Sequence, residues 1–382
     1  MRELSKKVSG IVPSATIGIT ETAKKMQREG IDVISLSIGE PDFDTPAHIK
    51  EACIDALRRG ETHYVPSNGI PELLTAISWK ISRENGFSCL PEEVIVTCGG
   101  KDAIFESMEA VLNPGDEVII LDPSWVSYEP CVQLASGRPI HHALNQKTFQ
   151  PDDTILERIG PKTKMFVVNS PSNPSGAVLS KESVKLVADL CTDYDLFALS
   201  DEIYEKLVYE KEHLSLAATG DMVHRTITVN GFSKAYAMTG WRLGYAVAPV
   251  EIVRQMSKVQ QHTISHPTSF AMYGALAAIE GDQSCVESMR QEFKRRRDYT
   301  IRELSSMGYE IAPADGAFYA FARVSGDDLD VAKTWLEKAH VAVTPGSAFY
   351  TPGWERISYA TSMEHLRDAL GRIQAFRTKF PE

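Results

Sequence analysis

The chain has 382 residues, more than one compact domain usually holds, so two structural units are expected. Apolar residues make up 43% and charged residues 24%, which excludes a disordered chain and allows a large core. A formal net charge of −11 argues against nucleic acid as the main partner, because it would repel a phosphate backbone.

Residues 1–45 carry a helical pattern over 19–28 and an apolar stretch over 33–38. Pro13, Ser14 and Thr16 interrupt the apolar character of the first segment, so neither a signal peptide nor a membrane span is expected. Short apolar runs then alternate with longer helical patterns. The run 94–97 is followed by Gly99-Gly100 and the amphipathic DAIFESMEAVL. The run 117–121 ends at Asp122-Pro123, and 165–169 leads into PSNPSG. The run 197–200 ends at Asp201, 226–229 precedes NGFSKAYAMTGWRLGY, and 243–248 follows it. This alternation predicts an α/β unit around a largely parallel sheet covered on both faces. After about residue 285 come a basic helix, the stretch 308–312, GAFYAFARV, a helix near 331–339 and the stretch 356–360. The basic run 294–297 reads as the solvated face of that helix. We expect a large unit over 46–285 and a smaller α+β unit built from both termini, 1–45 and 286–382. The six cysteines are scattered, with no C-x-x-C pair or Cys/His cluster, so no metal site is expected and a cytoplasmic location is.

Parallel α/β sheets bind ligands beyond the carboxyl ends of their strands. At those ends stand Gly99-Gly100-Lys101, Pro123-Ser124-Trp125, Asn173, Asp201 with Tyr204, and Lys234. One such group is ordinary loop chemistry; five suggest a single site. A lone lysine is usually a surface group. At a strand end in a cleft it can form a Schiff base with a carbonyl. Arg242, eight residues on, suits a phosphate, and the helix opened by Gly99-Gly100 offers free N–H groups to the same anion. Asp201 is read either as a helix N-cap or as a carboxylate that keeps a pyridine nitrogen protonated. Together these groups describe pyridoxal phosphate, an electron sink for carbanions α to an amine.

The sequence resembles the class I, fold-type I aminotransferases, most closely their prokaryotic aspartate aminotransferase branch. The resemblance runs from PSAT (13–16) through SIGEPDFDTP, THYVPSNGIPEL, VTCGGKDAIF, VVNSPSNPSGAV, SDEIYEKLVYE and VNGFSKAYAMTGWRLGY to GAFY and ERISYATS. It implies a mostly parallel seven-stranded sheet flanked by helices. It implies that Lys234 holds the cofactor and shuttles a proton, that Asp201 pairs with the pyridinium, and that Tyr204 and Asn173 donate to the ring oxygen. Trp125 would stack on the ring. Arg242, with the backbone around Gly100, would clamp the phosphate, and Tyr64 would reach the phosphate of the neighbouring subunit in a homodimer with shared sites. Arg356 would grip the substrate α-carboxylate, with Gly39 and Asn173 beside it.

Three departures stand out. Ser172 and Ser175 replace an asparagine and a threonine of the family pattern. Gly231 stands where many relatives have a serine that touches the phosphate, and Ser233 compensates only in part. The arginine that animal-type enzymes supply from the second subunit has no counterpart.

The reaction implied is ping-pong transamination between an amino acid and a 2-oxo acid. Lys101 matches a lysine near the distal carboxylate of acidic substrates, and Ser14 and Thr16 match polar residues that assist it, so aspartate and glutamate are the expected donors. The alternative for Lys101 is an exposed first-turn residue. Other readings are aromatic, alanine, prephenate or aldehyde specificity, and a C–S lyase or aminocyclopropane-carboxylate synthase on the same fold. A binding protein that kept the fold is disfavoured by Lys234, Asp201, Arg242 and Arg356. An NAD dehydrogenase is disfavoured by the missing dinucleotide fingerprint.

Overall fold

β-branched and aliphatic runs bounded by glycine, proline and aspartate become strands in the computed structural model, which describes residues 2–11 and 15–379. The strands in chain order are β1 (Ile34–Ser35), β2 (Val94–Thr97), β3 (Glu117–Asp122), β4 (Arg138–Ala143), β5 (Thr163–Asn169) and β6 (Phe197–Asp201). They continue with β7 (Thr226–Gly231), β8 (Gly244–Val247), β9 (Tyr319–Arg323), β10 (Val341–Ala342), β11 (Thr344–Pro345) and β12 (Trp354–Ser358).

β2 to β8 form one seven-stranded sheet in the order β2-β8-β7-β6-β5-β3-β4. Only β8 runs against its neighbours, so the sheet is mostly parallel. Its inner strands are buried on both sides, which is why they read as unbroken apolar runs instead of alternating ones. One face packs Ile95, Val118 and Ile120 against Ile104 and Met108 of the helix Gly100–Val111 and Met256 of the helix Val250–Thr263. On the other face Ile119 and Phe166 meet Val187 and Cys191 of the helix Lys181–Asp193. Farther along that sheet, Val94 and Tyr245 meet the helices Pro71–Glu84 and Ser269–Glu280. Each fully buried aliphatic or aromatic side chain contributes about 1.5–3 kcal/mol.

A second core lies outside this sheet. β11, β12 and β9 form an antiparallel sheet, and β1 pairs in parallel with β10, Ile34 opposite Val341. Leu36 and Phe318 pack there with Phe293 of the helix Ser284–Ser306 and with Leu366 and Ile373 of the helix Met363–Lys379. The amino-terminal stretch therefore shares a core with the carboxyl-terminal third.

Candidate active site

A cavity of about 620 Å³ opens at the carboxyl ends of the parallel strands, where β1, β9 and β12 approach them. Gly39, Gly100, Lys101, Trp125, Asn173, Asp201, Tyr204, Lys234, Arg242 and Arg356 all line it. Five segments of the sheet and two of the smaller core thus converge.

Asp201 ends β6 and is buried; its Oδ2 accepts a 2.6 Å bond from the Tyr128 hydroxyl, and its Oδ1 accepts from the Ile203 N–H. Burial lifts its carboxyl to about 6, against the lowering effect of Tyr128. Lys234 lies just past β7, and its Nζ donates to the Gly39 carbonyl at 2.7 Å. Desolvation in the cavity wall lowers its amine to about 8; Glu40 opposes that shift, and Arg356 and Arg242 reinforce it. Tyr204 is buried and shares a 2.8 Å hydroxyl contact with Tyr319.

Arg356 sits in β12, is 3% exposed, and pairs with no carboxylate among the described residues. Its guanidinium donates to Asn173 Oδ1 at 2.9 Å, to the Ser37 carbonyl at 2.6 Å and to Thr344 Oγ1 at 3.3 Å, and burial lowers its pKa. A buried cation held only by neutral acceptors is suited to an incoming anion. Asn173 is itself placed by its N–H, which donates to Asn169 Oδ1.

Arg242 occupies a left-handed backbone position, φ 54°, and its guanidinium reaches back to the carbonyls of Thr239 and Cys98. Gly99 has φ 82°, and a Cβ there would lie 2.6 Å from Arg242 Nη2. Only glycine therefore lets the arginine close against the amino end of the helix Gly100–Val111. Gly99 provides no side-chain cap, so the first N–H groups of that helix are left for a ligand. Lys101 is exposed in the first helical turn, and its ammonium lies 4.9 Å from the Trp125 ring centre. Although the residue as a whole is exposed, partial desolvation of its ammonium at the cavity wall lowers its pKa. Trp125 meets Tyr128 edge-on at 5.5 Å.

Tyr64 does not enter this cavity; it is 91% exposed and packs edge-on against His266. Ser14 lies outside the described residues. Thr16 belongs to the helix Ala15–Arg28, and that helix reaches the cavity through Glu21 and Lys24. Sequence reasoning missed Tyr128, Asn169 and Tyr319. Asn169 carried a readable signal, since it is a polar residue ending an apolar run, as Asp201 is. Tyr128 and Tyr319 carried none, because their partners come from remote segments.

The matched family model, aminotransferase class I and II, spans residues 31–373. The chain belongs to the class I and II aminotransferases. It is 45% identical over 381 residues to the aspartate/prephenate aminotransferase of Thermus thermophilus, covering 98% of each chain. It is 42% identical over 389 residues to the aspartate aminotransferase of Geobacillus stearothermophilus, again covering 98% of each. The solved structure of the Thermus thermophilus aspartate aminotransferase with maleate superposes with a TM-score of 0.95 at 44% identity, covering 98% of this chain and 100% of the other. An aromatic aminotransferase from Pyrococcus horikoshii gives 0.89 at 40% identity, covering 94% and 99%.

Members of this family use pyridoxal phosphate, and the residues of this aminotransferase fit it. Asp201 is a buried carboxylate with no cation paired to it within 4.0 Å among the described residues, which suits a protonated ring nitrogen. The Gly99 backbone and Arg242 form a cradle that a side chain at 99 would fill. Lys234 lines the same cavity.

Proposed function

We propose that this pyridoxal-phosphate-dependent aminotransferase takes aspartate or glutamate as donor and 2-oxo acids such as 2-oxoglutarate and oxaloacetate as acceptors, in alternating half-reactions. The observation that carries the reading is the placement of two cations, Arg356 and Lys101, on the walls of the cavity that holds Lys234. An acidic amino acid offers one carboxylate to each.

When bound, the cofactor supplies an electron sink for a carbanion α to the amine. Arg356, oriented by Asn173 and the Ser37 carbonyl, binds the substrate α-carboxylate with Gly39 alongside. That grip fixes which bond at Cα faces Lys234. Lys234 Nζ, with its pKa lowered to about 8, is a base matched to neutral pH and takes the proton from substrate Cα. Asp201, fixed by Tyr128, would hold the ring nitrogen protonated. Tyr204 and Asn173 would donate to the ring oxygen, and Trp125 would pack on the ring. Arg242 and the amino end of the helix at Gly99 and Gly100 would hold the phosphate. Lys101, with Ser14 and Thr16, receives the distal carboxylate.

The same reading divides the chain into a large unit, 46–285, and a small unit, 1–45 with 286–382, and places it in the cytoplasm. Among the described residues no helix is long and apolar enough to cross a membrane. It also makes the active form a homodimer in which Tyr64, exposed on the isolated chain, completes the partner's phosphate site. Sedimentation is expected to give a dimer; a monomer with full activity would refute the shared site.

A donor panel tests the specificity. Lys101→Ala is expected to raise KM for aspartate by roughly tenfold to a hundredfold, the loss of one charge-assisted bond, and to leave alanine nearly unchanged. An unaltered preference would defeat the assignment. The names of relatives such as the Thermus thermophilus enzyme favour a second reading, in which prephenate is the acceptor. The same assay with prephenate separates the two.

A further inference from the structure

A cluster of four side chains lies beside the cavity and outside its lining. His141, in β4, directs Nδ1 at both carboxylate oxygens of Asp122, at 3.1 and 2.9 Å. Its Nε2 lies 3.3 Å from Glu129 Oε2, an ionic contact without hydrogen-bond alignment. The ring of Tyr350 lies over the imidazole with centres 4.1 Å apart and planes 33° apart. Asp122 is 4% exposed and also accepts from Ser124 Oγ at 2.7 Å.

Each member belongs to a different part of the fold. Asp122 closes β3 and leads through Pro123 and Ser124 to Trp125. Glu129 is in the first turn of the helix Tyr128–Leu134, which also supplies the Asp201 partner. Tyr350 follows the turn Gly346–Phe349 and precedes β12, the strand of Arg356. The Ser124 N–H donates to the Phe349 carbonyl at 3.2 Å, and the Arg356 guanidinium lies 4.8 Å from the Phe349 ring centre. Tyr350 has φ 61°, a left-handed position unusual for a bulky residue and kept by what surrounds it.

We propose that His141 is a positioning residue. As an imidazolium between Asp122 and Glu129 and against Tyr350, it fastens the segment 346–351 to the loop of Trp125, and so sets how tightly the cavity holds its amino-acid substrate. The inference rests on the aminotransferase reading above.

The clamp depends on its N–H donors. An imidazolium has two N–H groups, one for each carboxylate, and attracts the face of the tyrosine ring. A neutral imidazole has one N–H, so its other nitrogen would turn a lone pair toward a carboxylate about 3 Å away. Deprotonation therefore breaks one side of the clamp. The groups facing the ring are Asp122 from β3, Glu129 from the adjoining helix and Tyr350 from the 346–351 segment. Burial opposes the charged ring, yet Asp122 and then Glu129 raise the His141 pKa above its ordinary value. A raised folded value means that the clamp is complete below the ordinary histidine range and is lost as pH climbs through the raised value. Burial lifts the Asp122 carboxyl, so acid protonates it early and sets the lower limit.

The test uses the holoenzyme and its best amino donor, with KM and kcat measured from about pH 6 to about pH 10, a range that spans a raised histidine. His141→Asn is expected to raise KM roughly tenfold near neutrality and to change kcat less than about twofold. That KM ratio should shrink toward one at alkaline pH, where the wild type has also lost the imidazolium. Tyr350→Leu should raise KM severalfold near neutrality and not at alkaline pH, whereas Tyr350→Phe, which keeps the ring and loses only the hydroxyl's bond to Glu129, should fall between Tyr350→Leu and the wild type. This pair carries the comparison if His141→Asn does not fold. A ratio constant across the range, or no KM change in an active variant, overturns the inference and leaves the aminotransferase reading intact. A wild type without turnover on any amino donor overturns both.

Discussion

Asp201 and Glu205, four residues apart, are both carboxylates enclosed by protein, yet their acidities diverge. Asp201 has a tyrosine hydroxyl for a partner and rises to about 6. Burial would lift Glu205 as well, but the Lys80 ammonium against its Oε1, helped by His213 and Lys206, brings it down to about 2. The contrast marks Glu205 as a paired structural group and Asp201 as a group that lacks its cation. Lys80 also donates to Asn85 Oδ1 at 2.8 Å, and Asn85 Nδ2 donates to Glu205 and Glu202, so the pair sits in a hydrogen-bonded network. Lys80→Met would leave Glu205 buried without its cation, at a cost of about 3–5 kcal/mol in urea unfolding at neutral pH. Because the folded pKa of Glu205 is depressed, this stability is present above the ordinary carboxylate range and lost as pH falls toward about 2. The variant's deficit should therefore narrow on acidification. A neutral-pH loss below about 1 kcal/mol, the size of an exposed pair, would contradict the account.

Elements with a strong local pattern were legible in the sequence. The runs 94–97 and 226–229 are β-branched and fully buried, and they are β2 and the body of β7. The edge strand β4 escaped notice, because RPIHHA has exposed and half-buried residues, a proline and no apolar run. That omission also hid His141. The stretch 308–312 makes only an isolated bridge, Ile311 opposite Ala322. The helix expected near 331–339 is an α-helix over Asp328–Thr334 followed by a π-helical turn, Trp335–Ala339. The reversed direction of β8 cannot be read from composition, since an inner strand is apolar whichever way it runs. Lys234, Asp201 and Asn173 were legible because a parallel sheet gathers its strand ends on one side. Tyr128 and Tyr319 were not, because a hydrogen bond across remote segments leaves no local pattern.

At the scale of the whole molecule, the two ends of the chain build one wall of the site. β1 pairs with β10, which carries Ser37 to Arg356; Thr344 arrives on β11 and Asn173 from the sheet. On the proposed reading, the grip on a substrate carboxylate depends on segments spread over more than three hundred residues of chain. The proposed phosphate cradle, by contrast, is made within the large sheet from Gly99, Gly100 and Arg242. Cofactor and substrate would thus be held by different parts of one fold, with Lys234 on the wall of the cavity they share and its amine on the Gly39 carbonyl. The account depends on that amine bonding the cofactor aldehyde. Borohydride reduction of the fully loaded protein, followed by peptide mapping, tests it most directly. We predict a single pyridoxyl label on Lys234; a label on another lysine, or none on Lys234, would contradict it.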